Sequence, residues 1–146
     1  MNTQYHIVIP ARLASQRLPN KPLLEINGRT LIEHVYRRAC SANAESVVIA
    51  TDSPEVCELA GGFGATALMT SADHPSGSDR IAECISILGW APDTLVVNLQ
   101  GDEPLMPANC LDQVAELLQN TPSADVASLY LPISNDSELA DSNVVK

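Results

Sequence analysis

Hydrophobic residues along the chain fall into two alternating patterns, short continuous runs and helical spacings. The continuous runs are rich in β-branched residues and are bounded by turn residues, which is typical of strands buried on both faces of a sheet. The predicted strands, in chain order, are Tyr5–Ile9, Ser46–Ala50, Ala67–Met69, Thr94–Leu99 and Asp125–Leu131, with the beginning of another at Val144-Val145.

Between these runs, apolar residues recur three and four positions apart, as on the buried face of an amphipathic helix. Thr30 and Glu33 have the spacing of a capping box at the start of the first predicted helix. The dipeptide Ser53-Pro54 begins the second helix, and Asp79 begins the third. The predicted apolar faces are Leu31, Ile32, Val35, Tyr36 and Ala39; Val56, Leu59 and Ala60; Ile81, Cys84, Ile85 and Leu88; and Leu111, Val114, Ala115, Leu117 and Leu118.

This repeated strand-then-helix order predicts an α/β fold, a three-layer α/β/α sandwich with a Rossmann-like, mostly parallel sheet. In such sheets ligands bind beyond the carboxyl ends of the strands. Three polar loops follow predicted strands, at Pro10–Lys21, Thr51–Ser53 and Gln100–Pro104. We therefore expect these loops to converge on one site.

Composition and charge narrow the class of partner. The chain has 146 residues, with 8 Lys and Arg against 18 Asp and Glu and a net charge of −10. This balance argues against nucleic acid and anionic membrane as partners, since both require an extended basic face. We expect neither a signal peptide nor a membrane span, and hence a cytoplasmic location. We expect the four cysteines, which form no C-x-x-C pair, to be small buried hydrophobes.

The few cations are concentrated in one region. Six of the eight lie between Arg12 and Arg38, and the first loop carries Arg12, Ser15, Arg17 and Lys21 without an acidic residue. Guanidinium groups bind phosphate in a bidentate manner, and lysine adds a mobile charge. We interpret this loop as a phosphate site, and the alternative is an ordinary solvated basic loop.

The loop after the strongest strand presents an acidic residue at the same predicted edge. Asp102 is placed where Mg²⁺ is held by a carboxylate and phosphate oxygens. Gly101 would let the backbone approach a ligand closely. The alternative is a plain Asp-Glu-Pro turn before the next helix, and Glu103 is then a surface residue.

A third polar segment, His74–Arg80, precedes a predicted helix. Its backbone N–H groups and hydroxyls could bind a polar ligand edge. It could equally be a helix cap made by Ser78, with Asp79 favourable to the helix dipole. No P-loop motif is present, and the G-x-G-x-x-A match at Gly62–Ala67 follows a helix and leads into a strand, which is the wrong context for a dinucleotide fingerprint.

These segments together resemble the motifs of the 3-deoxy-manno-octulosonate (Kdo) cytidylyltransferase family, also called CMP-Kdo synthetases. They occur in the family's order and at fitting intervals, with Ser78 where threonine is more usual. The matching segments are IPARLASQRLPNKPL at Ile9–Leu23, ATD at Ala50–Asp52, HPSGSDR at His74–Arg80 and NLQGDEP at Asn98–Pro104.

The resemblance implies a bacterial enzyme of lipopolysaccharide synthesis that converts CTP and Kdo into CMP-Kdo and diphosphate, with Mg²⁺. The anomeric hydroxyl of the sugar would attack the α-phosphorus in line, helped mainly by positioning and charge neutralisation. The residue roles implied by the family motifs are as follows: Arg12, Arg17, Lys21 and Asp102 catalytic; Arg12, Ser15, Lys21, Ser76, Gly77, Ser78, Asp79 and Arg80 nucleotide-binding; Gln100 and Arg17 sugar-binding; and Asp102 the Mg²⁺ ligand.

The family's chains extend well beyond this length. The resemblance places further sugar contacts, a second metal-binding aspartate and most of a homodimer surface in that additional part. We therefore expect residues 1–146 to form a single nucleotide-binding α/β domain, truncated at its C-terminus and with weak or absent catalysis alone. Two alternatives stay open: a sialic-acid type of cytidylyltransferase, whose members tend to lack the Arg17-Leu-Pro step, and a non-catalytic nucleotide-binding or interaction remnant.

Overall fold

A computed structural model describes residues 3–13 and 18–142. Strands and helices alternate along most of this length, as the hydrophobic pattern predicts. The elements are β1 (His6–Ala11), a 3₁₀ turn (Lys21–Leu23), β2 (Glu25–Ile26), β3 (Arg29–Thr30), α1 (Leu31–Ala39), β4 (Ser46–Thr51), α2 (Pro54–Gly62), β5 (Thr66–Met69), α3 (Gly77–Leu88), β6 (Val96–Asn98), α4 (Ala108–Gln119) and α5 (Asp136–Ala140).

The main sheet has four strands in the order β5-β4-β1-β6. All pairings in it are parallel, and His6 of β1 lies opposite both Ser46 of β4 and Val96 of β6. The short strands β2 and β3 form a separate antiparallel hairpin that leads into α1. The predicted α/β fold with a mostly parallel sheet is confirmed.

The two faces of the sheet carry separate hydrophobic cores. Because successive side chains of a strand point to opposite faces, Ile7 and Ile9 of β1 pack in the larger core with residues of α1, α2 and α4. Val8, between them, packs in the smaller core with Ile81 and Cys84 of α3. Helices therefore cover both faces, which confirms the three-layer sandwich.

The predicted strand Asp125–Leu131 is wrong. Residues 126–134 belong to no strand or helix, and Tyr130 and Leu131 are 87% and 90% exposed. A β-type pattern becomes a strand only beside a neighbour that accepts its hydrogen bonds, and in the described part of the chain no strand pairs with this segment. Val144-Val145 lies outside the described residues.

The predicted capping box of α1 is also wrong. Thr30 is the N-cap, but its side chain makes no capping bond, and its buried Oγ1 has no partner among the described residues. Glu33 pairs instead with Arg37 and Arg29, at 2.8 and 3.5 Å. Arg37 lies one helical turn after Glu33 on α1, whereas Arg29 reaches the same carboxylate from β3.

Two other helix starts show how local chemistry decides a boundary. Ser53 caps α2 as predicted, since its Oγ accepts the N–H of Val56 at 3.3 Å. The cap of α3 is Ser76 rather than Ser78, so that α3 begins two residues before Asp79.

The G-x-G-x-x-A match runs from the end of α2 into β5. Its Gly64 adopts a left-handed φ of 81° shortly after the helix, as in a C-terminal cap.

The cysteines are all free, but they are not all buried. Cys84 is buried in the smaller core, whereas Cys40 is exposed at the end of α1. The expectation of four buried cysteines therefore holds for Cys84 alone: Cys57 and Cys110 are half-buried, and Cys40 lies just beyond the last buried residue of its helix. None of the helices in the described ranges is long and apolar enough to cross a membrane.

Candidate functional site

A cavity of about 700 Å³ opens at the carboxyl ends of β1 and β6. Three segments form its walls: the end of β1 with the 3₁₀ turn, the start of α3, and the loop after β6. The lining residues are Pro10, Ala11, Arg12, Leu18, Lys21 and Pro22; His74, Ser76, Gly77 and Arg80; and Gln100, Gly101 and Asp102. The loops after β1 and β6 therefore line one cavity at the sheet edge, as expected. The third polar loop, Thr51–Ser53, does not line it, so the expected convergence of all three loops is wrong for that one.

The cavity holds a cation and an anion in direct contact. The Nζ atom of Lys21 lies 2.5 Å from Oδ2 of Asp102, although 81 positions separate the two residues in the chain. Their side chains are 35% and 47% exposed, so that both remain accessible from the cavity. Arg12 also lines the cavity and is exposed. Ser15 and Arg17, predicted in the same loop, lie outside the described residues.

Asp102 has the chemistry of a ligand for a hard cation. Its carboxylate already accepts a hydrogen bond from the ammonium group of Lys21 at the cavity wall. No group of three or more ligating side chains is present in the described ranges. Mg²⁺ commonly binds through one or two carboxylates and takes its other ligands from phosphates and water. Asp102 therefore fits as the single protein ligand, within the described residues, for a metal that arrives with a phosphate group.

Two glycines allow the cavity walls to meet. A Cβ atom at Gly101 would lie 3.0 Å from the carbonyl oxygen of Pro10, and one at Gly77 would lie 3.3 Å from Cγ of Pro10. The sequence predicted that Gly101 would let the backbone approach a ligand. In the structure, its lack of a side chain instead lets the loop backbone approach the backbone of β1. Both the loop before Asp102 and the start of α3 pack directly on the end of β1.

The start of α3 divides the predicted nucleotide-binding residues into two groups. Ser76 and Gly77 line the cavity, whereas Ser78 and Asp79 do not. Asp79 is engaged in the cap, because its N–H donates to Oγ of Ser76 at 3.2 Å and its carboxylate accepts the Ser76 hydroxyl at 2.5 Å. Only one side of the first turn of α3 can face the cavity. The sequence alone does not show which residues of the segment lie on that side.

Arg80 lines the cavity but is only 3% exposed. Its guanidinium group donates to Oδ2 of Asp52 at 2.9 Å and to Oγ1 of Thr70 at 2.5 Å. A buried charge requires such partners, since desolvation otherwise costs several kcal/mol. Arg80 thus ties α3 to the segments after β4 and β5, and Asp52 offsets its charge. This structural contact of Asp52 was missed in the sequence, although its loop was noted.

Gln100 is exposed at the cavity wall. Its Nε2 donates to Oδ1 of Asn98 at 2.9 Å, which fixes the orientation of the carboxamide. The location of Gln100 is compatible with the predicted sugar contact, and that role stays a prediction.

The sequence reasoning missed a contact between His74 and Glu83. His74 lines the cavity, and its Nε2 lies in hydrogen-bond contact with Oε2 of Glu83 on α3. The same oxygen accepts the N–H of Ser71 at 2.8 Å. The hydrogen bond from His74 and then that from Ser71 lower the pKa of Glu83 below its ordinary value. No sequence pattern signals this contact, because it joins a loop to the second turn of a helix.

A family model described as cytidylyltransferase matches residues 6–146. The 3-deoxy-manno-octulosonate cytidylyltransferase of Thioalkalivibrio sulfidiphilus is 52% identical over 142 residues, which are 97% of this chain and 57% of that protein. The protein of the same name from Pseudomonas fluorescens strain SBW25 is 49% identical over 146 residues, 100% of this chain and 58% of that protein.

The chain is also similar to a solved structure. The structure of CMP:2-keto-3-deoxy-manno-octonic acid synthetase complexed with CTP matches with a TM-score of 0.75 and 40% identity. The match covers 82% of this chain and 49% of that one. The chain thus spans a little over half the length of the curated relatives it matches and about half of this solved chain.

Proposed function

The chain belongs to the cytidylyltransferase family, and we propose that it contributes to the activation of Kdo, in which CTP and Kdo give CMP-Kdo and diphosphate. The observation that carries this proposal is the single cavity at the sheet edge, which combines basic side chains, a carboxylate and a helix start. The reaction is a proposal because the chain spans under three fifths of the relatives that carry this name. We place it in the cytoplasm, where its substrates CTP and Kdo would be available, and a homodimer like that of the family belongs to the same proposal.

The triphosphate would lie against Arg12 and Lys21. A guanidinium group and an ammonium group supply charge-assisted hydrogen bonds to phosphate oxygens. Ser15 and Arg17, outside the described residues, belong to the same loop and would complete the phosphate contacts. In a chain with a net charge of −10, this local excess of cations is what attracts the nucleotide to the cavity.

The cytidine would lie toward the start of α3. The first N–H groups of a helix have no acceptor within the helix, although that of Asp79 is taken by Oγ of Ser76. Gly77 brings this turn onto the end of β1. Ser76 adds a polar side chain, and Arg80 adds a guanidinium group that is held in position by its hydrogen bond to Asp52. Ser78 and Asp79 stay part of the proposed nucleotide segment, and Asp79 would contribute through the cap that it forms with Ser76.

Asp102 is the residue that would hold Mg²⁺. When bound, the metal would neutralise charge on the phosphate oxygens and act as a Lewis acid. Lys21 would compete with the metal for Oδ2 of Asp102, and a triphosphate offers the ammonium group an alternative anion. The loss of one ion pair is then balanced by two new charge-assisted contacts.

The sugar would approach from the side of Gln100, with Arg17 as a second contact. Its anomeric hydroxyl would attack the α-phosphorus in line while diphosphate leaves on the opposite side. The chain's own residues would accelerate this step by holding the two reactants in position and by neutralising charge.

Calorimetric titration of the 146-residue chain with CTP in the presence of Mg²⁺ tests the proposal. We expect CTP to bind and the Asp102→Asn variant to lose the metal dependence of binding. An assay for diphosphate release with Kdo or sialic acid then tests the substrate, and we expect weak or absent turnover by this chain alone. Failure of CTP to bind would refute the proposed function, and turnover with sialic acid but not Kdo would correct the substrate.

A further inference from the structure

The loop between β5 and α3, residues 70–76, forms one wall of the cavity and is held at both ends. Thr70 donates its N–H to the carbonyl oxygen of Thr51 at 2.8 Å. Ser76 is the N-cap of α3. Between these ends, Glu83 is the only side chain outside the loop that hydrogen bonds residues 71–75 in the described part of the chain. The middle of this wall is therefore attached to the rest of the described structure by the Glu83 carboxylate.

Glu83 reaches the loop from the second turn of α3. Its Oε2 accepts the Ser71 N–H at 2.8 Å and contacts Nε2 of His74. The side chains of His74 and Glu83 are 20% and 32% exposed. His74 lines the cavity, whereas Glu83 does not, so that any effect of Glu83 on a bound ligand must pass through its partners.

We propose that Glu83 is a positioning residue for nucleotide binding, which acts by fixing His74 and the backbone at Ser71 against the cavity. This role rests on the proposed function, since it concerns the same cavity. Without the carboxylate, the His74 ring would regain rotamers and the loop would lose its central attachment. Nucleotide binding would then have to order the His74 ring and the loop, and this cost in free energy would weaken the affinity for the nucleotide.

A set of three variants tests this role by calorimetric titration of CTP with Mg²⁺ present. We expect Glu83→Ala to weaken CTP binding about tenfold, the order seen when a group that orients a binding residue is lost. Glu83→Gln retains an acceptor oxygen for both donors, and we expect it to restore most of the affinity. Glu58→Ala, an exposed acid on α2, is the matched control for charge and should bind as the wild type does.

Thermal unfolding and a double-mutant cycle separate positioning from general stability. Since Glu83 is partly exposed, we expect the midpoint of Glu83→Ala to stay near that of the wild type. Because Glu83 acts partly through His74 and partly through the Ser71 N–H, the loss of affinity on Glu83→Ala should be smaller in a His74→Ala background than in the wild-type background. Additive losses, or wild-type affinity in Glu83→Ala, would overturn the positioning role while the proposed function stands. A wild-type chain that does not bind CTP would refute the proposed function, and this role with it.

Discussion

Replacement of Lys21 by methionine should change metal and nucleotide affinity in opposite directions. The Lys21 ammonium lies 2.5 Å from Oδ2 of Asp102, so that it would compete with a metal for that oxygen. Methionine keeps an unbranched side chain of similar length and removes the charge. Asp102 is then free for a cation, but the triphosphate loses one of its contacts.

The size of both effects follows from the exposure of the pair. At 35% and 47% exposure, an ion pair contributes about 0.2–1 kcal/mol, so that metal binding without nucleotide should tighten by about 1.4- to 5-fold. A hydrogen bond to a charged group contributes about 1.5–3 kcal/mol, so that CTP binding should weaken by about 10- to 150-fold.

Mn²⁺ titrations followed by electron paramagnetic resonance measure the metal affinity without nucleotide, and calorimetric titration measures the CTP affinity of the same protein. Binding of Mn²⁺ lowers the signal of the free ion, and Asp102→Asn should lose this decrease. Arg38→Met, which removes an exposed cation of α1 away from the cavity, is the matched control. If Lys21→Met weakened Mn²⁺ binding in the absence of CTP, the ammonium would not compete for the carboxylate and the reasoning would be refuted.

Three further predictions concern stability and reactivity. Gly101→Ala places a Cβ atom 3.0 Å from a carbonyl oxygen of β1, and we expect a loss of about 1–3 kcal/mol in urea denaturation; wild-type stability would show that the loop can move away. Tyr5→Phe removes the 2.6 Å hydrogen bond to Asp112 from a side chain that is 1% exposed, and should cost about 1–2 kcal/mol in the same assay, with no effect on CTP binding. Burial raises the pKa of the Cys84 thiol to about 11, so at pH 8 we expect iodoacetamide to modify the exposed Cys40 first; equal rates would contradict this packing.

The sequence was most informative where a local pattern decides the structure. The continuous run around Ile7 and the helical spacing around Ile81 led directly to the two cores, because period and burial are properties of a short segment. The Ser53 cap was predictable for the same reason. The run at Asp125–Leu131 has the same kind of pattern, yet no strand forms there, because strand formation needs a partner that a local pattern does not contain.

The candidate site shows the same division. Lys21 and Asp102 were identified by residue type and by their position after strands, but their direct contact is a product of the adjacency of β1 and β6. The segment at Ser76–Arg80 was found as a motif, while the separation of its members into cavity wall and cap depends on how α3 is rotated. Glu83 has no signal in the sequence, since nothing in its neighbourhood predicts a contact with His74.

By itself, the sequence determined the order of the elements, the three-layer architecture and the edge of the sheet where charged loops collect. Those properties depend on hydrophobic period and turn chemistry, which act over a few residues. Only the tertiary structure decided that Lys21 rests on Asp102, that Asp52 neutralises Arg80 and that Glu83 supports the cavity wall. Each of these contacts joins segments that the fold brings together, and their energies depend on distance and burial in space rather than on separation along the chain.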